Sequence, residues 1–401
     1  MIENKKEPEI RFKGFTEDWE QRRWIDTVDI STNMVDPKIG KYNKLLHIGP
    51  GNIESFTGQF YDNIKTVEEE QLISGKFHFY PGDIIYGKIN PQLAKYVLPD
   101  FEGLCSADSY ILNSKNGLRQ KYLYTILQTQ DFYKYSVSVS MRSGIPKINR
   151  DELNEYSFYA PVEQEQELIG KIFWHIDNLI TLNKRKYENL VNIKKSMLEK
   201  MFPKNSSKIP EIRFKGFTED WEQRKLNDTY TFSQGMQVAI DNQSLNKDVN
   251  MEQFIRIIDV TTNSEPPRYI YNTTGKGHVE QNDIFFVRYG AVGTIGYGYN
   301  GTIANNLFKL STKEKCCNDF MFQQFANGEF NKKLIEMSAS TSMPAINFSA
   351  LKSLSFYKTN FDEQIRIGKL FKSIDNLITL HQRKLEKLNN IKKSMLDKMF
   401  V

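Results

Sequence analysis

The strongest constraint in this sequence is that it repeats itself. PEIRFKGFTEDWEQR at Pro8–Arg22 returns letter for letter at Pro210–Arg224. A second repeat closes each half. PVEQEQELIGKIFWHIDNLITLNKRKYENLVNIKKSMLEKMF (Pro161–Phe202) is echoed by DEQIRIGKLFKSIDNLITLHQRKLEKLNNIKKSMLDKMF (Asp362–Phe400), with Met201 aligned on Met399, 198 residues further on. Both copies carry IDNLITL (Ile176–Leu182, Ile374–Leu380) and IKKSML (Ile193–Leu198, Ile391–Leu396). A chain built this way folds as two tandem units, each with an opening segment, a variable globular segment and a closing segment. Two units are too few for a solenoid, so a duplicated, two-lobed, pseudo-twofold molecule is expected.

The closing segments read as long helices. Neither has a proline or glycine past its opening turns, and apolar residues recur at spacings of three and four. In the first copy the stripe runs Ile169, Ile172, Ile176, Leu179, then shifts to Ile180, Tyr187, Leu190, Met197 and Met201. In the second it runs Ile367, Leu370, Ile374, Leu377, then Ile378, Leu385, Leu388, Met395 and Met399. Each helix spans roughly 40 residues, so roughly 60 Å. A small domain cannot cover so long a stripe, and the matching partner is the other copy, in a coiled coil. Asn183 and His381 share one repeat position, where the stripe shifts. There they either fix the register of the pair or face solvent.

The stretches between the repeats, Trp24–Ala160 and Leu226–Thr359, differ sharply in sequence and read as mixed strand, loop and helix. Phe77–Ile89 predicts a turn at Pro81-Gly82 followed by a buried strand, Ser106–Asn113 a second strand, and Leu118–Val137 a helix. In the other half, Asn282–Gly301 predicts strand, glycine-rich bend and strand, and Asn318–Ser338 a helix. The halves converge again at Ser143–Pro161 and Thr341–Thr359, where Pro146 pairs with Pro344 and Asn149 with Asn347. The polar, proline-bounded stretch Pro203–Pro210 is the linker. The expected division is a first head over 1–160, a central helix over 161–203, a second head over 204–359 and a C-terminal helix over 360–401. Matched frames imply two identical partners or one twofold-symmetric partner, whereas divergent heads imply recognition of two different things.

Composition agrees with this and adds little. At 401 residues the chain is too long for one typical core. The net charge of +5 suits a polyanionic partner without requiring one. No apolar run is long enough to span a bilayer. The polar start, MIENKKEPEI, lacks the apolar core of a signal peptide. Cys105, Cys316 and Cys317 form no zinc or redox spacing, so a reducing, cytoplasmic setting is expected.

The arrangement closely resembles the specificity subunit of type I restriction–modification systems, over essentially the whole chain. The resemblance is carried by GDIIYGKIN (Gly82–Asn90) followed by CSADSYIL (Cys105–Leu112) in the first half and by DIFFVRYGAVGTIG (Asp283–Gly296) in the second. SGIPKIN (Ser143–Asn149), leading through YAPVEQEQELI (Tyr159–Ile169) into the helix, adds to it. Tyr357-Lys358-Thr359-Asn360 replaces the frequent Pro-Pro of the family before the second Glu-Gln, and Asn360 with Glu363 offers an N-cap instead. The resemblance implies an α+β fold: two tandem mixed α/β target-recognition domains separated by two long antiparallel helices that form a coiled coil. It implies a non-catalytic subunit whose heads each read half of a bipartite sequence in double-stranded DNA. The helices are then spacers that also dock two adenine-N6 methyltransferase subunits, and restriction–translocase subunits join the complex.

The residues themselves show little catalytic chemistry. Asn90-Pro91-Gln92-Leu93 lacks the second proline and the aromatic of an adenine-methyltransferase motif. Gly290, Gly293, Gly296 and Gly298 are not spaced as a dinucleotide fingerprint. Pro81-Gly82-Asp83 followed by Lys88 reads as a turn into a strand. No catalytic residue, cofactor or metal ligand is expected. For DNA, phosphates call for Lys and Arg, and base edges for Arg, Lys, Asn and Gln. The first head offers Lys88, Asn90, Gln92 and Lys95 after a buried strand, and Arg142, Ser143 and Lys147 in a second loop. The second offers Lys276 and His278, then Arg288 and Tyr289 beside the bend Gly290–Gly293. The runs Lys184-Arg185-Lys186, Lys194-Lys195, Arg383-Lys384 and Lys392-Lys393 form solvated faces, attract phosphate or pair with an acidic partner. The competing reading is a coiled-coil adaptor that binds only proteins. It explains the helices but not two divergent, aromatic-rich heads.

Overall fold

The computed structural model describes residues 7–141, 144–204, 207–338 and 345–401. The chain divides into two compact units, Met1–Arg185 with His381–Val401, and Lys186–Leu380. Each unit therefore combines one head with stretches of both long helices. The central helix runs over Glu163–Met201 and the C-terminal helix over Phe361–Lys398. Asn360 caps the latter by accepting the Glu363 N–H at 3.0 Å, so the N-cap offered by the sequence is the one used.

In the first unit a four-stranded antiparallel sheet orders Val28–Ile30, Ser109–Ser114, Ile84–Gly87 and Tyr96–Val97. A five-stranded sheet orders Met34–Val35, Lys76–Phe79, Gly103–Cys105, Leu46–Ile48 and Lys65–Thr66, with Leu46–Ile48 parallel to Gly103–Cys105. The second unit repeats the scheme. Its first sheet orders Tyr230–Gln234, Leu307–Thr312, Ile284–Val287 and Ile295–Gly296. Its second orders Arg268–Ile270, Glu252–Ile255, Gly301–Ile303 and His278–Val279, again with one parallel pair, Glu252–Ile255 beside Gly301–Ile303. The heads that differ sharply in sequence therefore share one topology, save that the first carries an added edge strand, Met34–Val35.

The central strand of each head explains why so short a run is wholly apolar. Successive side chains of a strand point to opposite faces. Ile84 and Tyr86 enter one core with Trp24 and Phe132, while Ile85 enters another with Ile48, Phe79 and Ile111. Ile284 and Phe286 likewise face Phe320 and Phe325, while Phe285 and Val287 face Ile255 and Ile303. All four residues of each strand are buried. The helical stretches expected after these sheets are helical, each as two helices. Thr129 stops one and caps the next, giving Gln120–Ile126 and Gln130–Ser140. In the second head Asn327 separates Asn318–Ala326 from Gly328–Ser338.

The repeated letters build the frame of each unit. Arg11 grips the fully buried Glu165 with Nε at 3.0 Å and Nη2 at 2.9 Å. Arg213 grips Glu363 in the same way at 2.7 and 2.8 Å. The following glutamines anchor each head to its helix: Gln166 accepts from the Arg119 N–H at 2.9 Å, and Gln364 from the Cys317 N–H at 3.1 Å. Gly170 and Gly368 let the helix approach the head closely, since a Cβ would stand about 3.0 Å from the backbone nitrogen of Tyr122 or Phe320. At the far helix ends, Ile10 N–H donates to the Lys398 carbonyl and Ile212 N–H to the Lys200 carbonyl, both at 2.9 Å. Phe400 meets Trp19 edge-on at 6.1 Å, and Phe202 meets Trp221 at 5.9 Å.

Within each unit the two helices run antiparallel. In the first, Asp177 pairs with Lys392 at 2.7 Å and Asn183 with His381 at 3.0 Å. In the second, Asp375 pairs with Lys194 at 2.6 Å, and Phe371 lies 6.0 Å from Phe202. The stripe does not shift as expected. Leu179 and Leu377 are 43% and 44% exposed. The covered face instead alternates four and three without interruption: Ile169, Phe173, Ile176, Ile180, Asn183, Tyr187, Leu190, Lys194, Met197, Met201. Its counterpart is Ile367, Phe371, Ile374, Ile378, His381, Leu385, Leu388, Lys392, Met395, Met399. This is the 3.5-residue repeat of a coiled-coil seam. Lys194 and Lys392 belong to that face and to intramolecular ion pairs, not to a solvated face. Among the described residues no helix is long and apolar enough to cross a membrane.

Candidate nucleic-acid interface

The strand Ile84–Gly87 delivers Lys88 to its end, and Ile284–Val287 delivers Arg288. The backbone around the two is bonded identically. Lys88 donates its N–H to the Asp108 carbonyl at 3.0 Å and accepts from the Ile148 N–H at 3.0 Å. Arg288 donates to the Asn306 carbonyl and accepts from the Ile346 N–H, both at 2.8 Å. The cations are seated alike as well. The Lys88 ammonium lies 5.4 Å from the centre of the Tyr110 ring, and the Arg288 guanidinium 5.6 Å from that of Phe308. Such contacts are worth about 0.5–1 kcal/mol at exposed sites. They hold a half-buried positive charge at the rim of each sheet.

The next residues also match. Ile89 forms a bridge with Lys147, and Tyr289 with Ala345. Asn90 follows at φ 53° and donates its N–H to the Pro146 carbonyl at 2.8 Å. Gly290 takes the same place at φ 83°. A turn that demands positive φ is thus filled by Asn in one head and Gly in the other. Each loop closes on the strand it left: Gly87 N–H donates to the Lys95 carbonyl at 2.8 Å, and Val287 N–H to the Thr294 carbonyl at 3.1 Å.

Sequence reasoning thus named groups that the fold brings together: Lys88, Asn90 and the exposed Lys147 in the first head, and Arg288 and Tyr289 in the second. Lys95 is turned inward. Its ammonium donates to the Pro50 carbonyl, and burial lowers its pKa. Lys276 is exposed on a separate turn, where the Asn272 side chain accepts the N–H groups of Thr274 and Gly275 at 3.2 and 3.0 Å. His278 is tied to Glu252 at 2.5 Å. Arg142 and Ser143 lie outside the described residues. Sequence reasoning missed Asp108 and Asn306, the residues whose carbonyls hold Lys88 and Arg288. The only signal for them was their position just before Ser109–Ser114 and Leu307–Thr312, which their dissimilar surroundings conceal. The cysteines offer no reactive thiolate: burial pushes the Cys105 thiol up to about 12 and raises those of Cys316 and Cys317.

Two heads of one topology on a repeated helical frame, each with a cation at the end of its central strand, define a duplicated recognition protein. The family described as "Type I restriction modification DNA specificity domain" matches residues 16–192 and 218–390, and the chain belongs to this family, carrying its domain twice. Over 188 residues, 46% of this chain and 41% of the relative, it is 31% identical to the type I restriction enzyme EcoDI specificity subunit of Escherichia coli. It is 25% identical to the putative type I restriction enzyme MjaX specificity subunit of Methanocaldococcus jannaschii, over 98% of this chain and 95% of that one. The crystal structure of a type I restriction–modification S subunit from M. genitalium has the same fold, with a TM-score of 0.66 at 14% identity, covering 98% of this chain and 99% of that chain.

Proposed function

We propose that this chain is the non-catalytic DNA sequence-specificity subunit of a type I restriction–modification complex. Residues 1–160 read one half of a bipartite double-stranded target and residues 204–359 the other. The helical stretches 161–203 and 360–401 set the spacer between half-sites and dock two methyltransferase subunits, and restriction subunits join through the assembled complex in the cytoplasm. The observation that carries this reading is the pair of matched strand-end sites: one backbone scaffold presents Lys88 in the first head and Arg288 in the second. A common scaffold with different readers is what two unlike half-sites require. Lys88, Asn90, Arg142, Ser143 and Lys147 contact DNA from the first head, and Lys276, Arg288 and Tyr289 from the second. Lys95 supports its loop and contributes charge.

The test is selection from a random-sequence duplex pool by the chain together with its methyltransferase subunits. The expected product is a bipartite consensus whose affinity falls steeply with salt, because phosphate contacts release counterions. A pool that stays unselected makes the chain a protein-only adaptor.

A further inference from the structure

Resting on the reading of the heads as DNA readers, we propose that Asp108 and Asn306 are base-reading residues. Each works with the cation beside it, as Lys88–Asp108 in the first head and Arg288–Asn306 in the second.

The ladder register brings each pair together. Gly87 is opposite Ser109 and Val287 opposite Leu307. Residues 88 and 108, like 288 and 306, are therefore the first neighbours beyond the last paired rung. Their mutual backbone bond satisfies the N–H of the cation, leaving both side chains for other work. The Asp108 residue is exposed, and its carboxylate has no ion-pair or hydrogen-bond partner among the described residues. The Asn306 Oδ1 is buried and has no hydrogen-bond partner among the described residues. Buried polar atoms are rarely left unbonded, because the lost hydration is not recovered. The Asn306 residue is only half-buried, so turning its amide brings the oxygen outward, where a donor from a base edge supplies the missing bond.

Chemistry then assigns the bases. In the major groove a guanidinium or ammonium takes the O6 and N7 of guanine. An asparagine takes the N6 and N7 of adenine, and a carboxylate accepts from the N4 amine of cytosine. The first head therefore reads guanine through Lys88 and cytosine through Asp108. The second reads guanine through Arg288 and adenine through Asn306.

Near-isosteric exchange tests this in the full chain assembled with its methyltransferase subunits, by sequencing duplexes selected from a random pool. Asp108→Asn is expected to move one position of the first half-site from cytosine to adenine by about ten-fold or more, leaving the second half-site unchanged. Asn306→Asp is expected to do the converse in the second half-site alone. Asp108→Ala, read the same way, leaves that position degenerate and does not depend on the exchanged amide packing well. A consensus that survives all three substitutions, or affinity that falls equally for every sequence, overturns the assignment while leaving DNA reading intact. A wild-type complex that selects no consensus overturns the underlying reading and this assignment with it.

Discussion

His381 donates its Nδ1–H to the Oδ1 of Asn183 across 3.0 Å. The amide orientation is set one turn away, where the Asn183 Nδ2 donates to the Leu179 carbonyl at 2.7 Å and leaves the oxygen as acceptor. Asn183 is buried. Two residues at one repeat position of two near-identical helices thus bond to each other instead of to water. A polar pair in an apolar seam lowers stability but penalises every other register.

Asn183→Leu leaves the His381 N–H without its acceptor. It is expected to destabilise the first unit by about 1–3 kcal/mol. The double variant Asn183→Leu with His381→Leu restores or exceeds wild-type stability, because two apolar residues leave nothing unbonded. Urea unfolding of the four proteins in a double-mutant cycle measures the coupling, and additive single effects would count against a seam bond.

The forked pairs Arg11–Glu165 and Arg213–Glu363 each hold a carboxylate that is fully buried. Removing one partner strands a charge, at a cost of about 3–5 kcal/mol. Arg11→Met and Arg213→Met should therefore each lower the urea midpoint strongly and to a similar degree. A surface-like loss of under about 1 kcal/mol in either would contradict the burial.

Phe202 is 3% exposed, stacks on Phe320 at 5.4 Å and meets Trp221 edge-on. Phe202→Ala is expected to cost about 3–5 kcal/mol. Trp221 borders the vacated space, so the summed emission of the four tryptophans should shift in the variant before unfolding, as water reaches Trp221.

Because the covered face of both helices keeps a strict seven-residue repeat, a seven-residue insertion made in both preserves it. The added length is about 10.5 Å, or about three base pairs at 3.4 Å each. The selected consensus should gain about three base pairs of spacer with both half-sites unchanged. Altered half-sites would mean that the helices do more than space the heads.

The helices and the frame were legible because the sequence states them twice. Long helices also depend on local periodicity, which a single chain displays. The seam was misplaced because Ile176, Leu179 and Ile180 crowd one turn, and spacing alone does not choose between Leu179 and Ile180. What decides is the neighbour, which brings Phe173 into the seam and leaves Leu179 in solvent. The common topology of the heads was hidden for a related reason. Strand pairing such as that of Ile84–Gly87 with Ser109–Ser114 is non-local, and Ile84-Ile85-Tyr86 and Ile284-Phe285-Phe286 satisfy the same two cores with different side chains. At the candidate interface, Lys88 and Arg288 were visible as cations after apolar strands. That Lys95 turns inward to Pro50 was not, because nothing in a lysine's neighbours in sequence reveals which carbonyl it meets.

The central claim is that each head reads its own half-site. Its most direct test replaces Trp24–Ala160 with the corresponding head of another family member, assembles the chain with its methyltransferase subunits, and maps the methylated adenines by sequencing. The account predicts that one half-site changes to that of the donor while the other half-site and the spacer stay as they were. A change in both half-sites, or in neither, would contradict it.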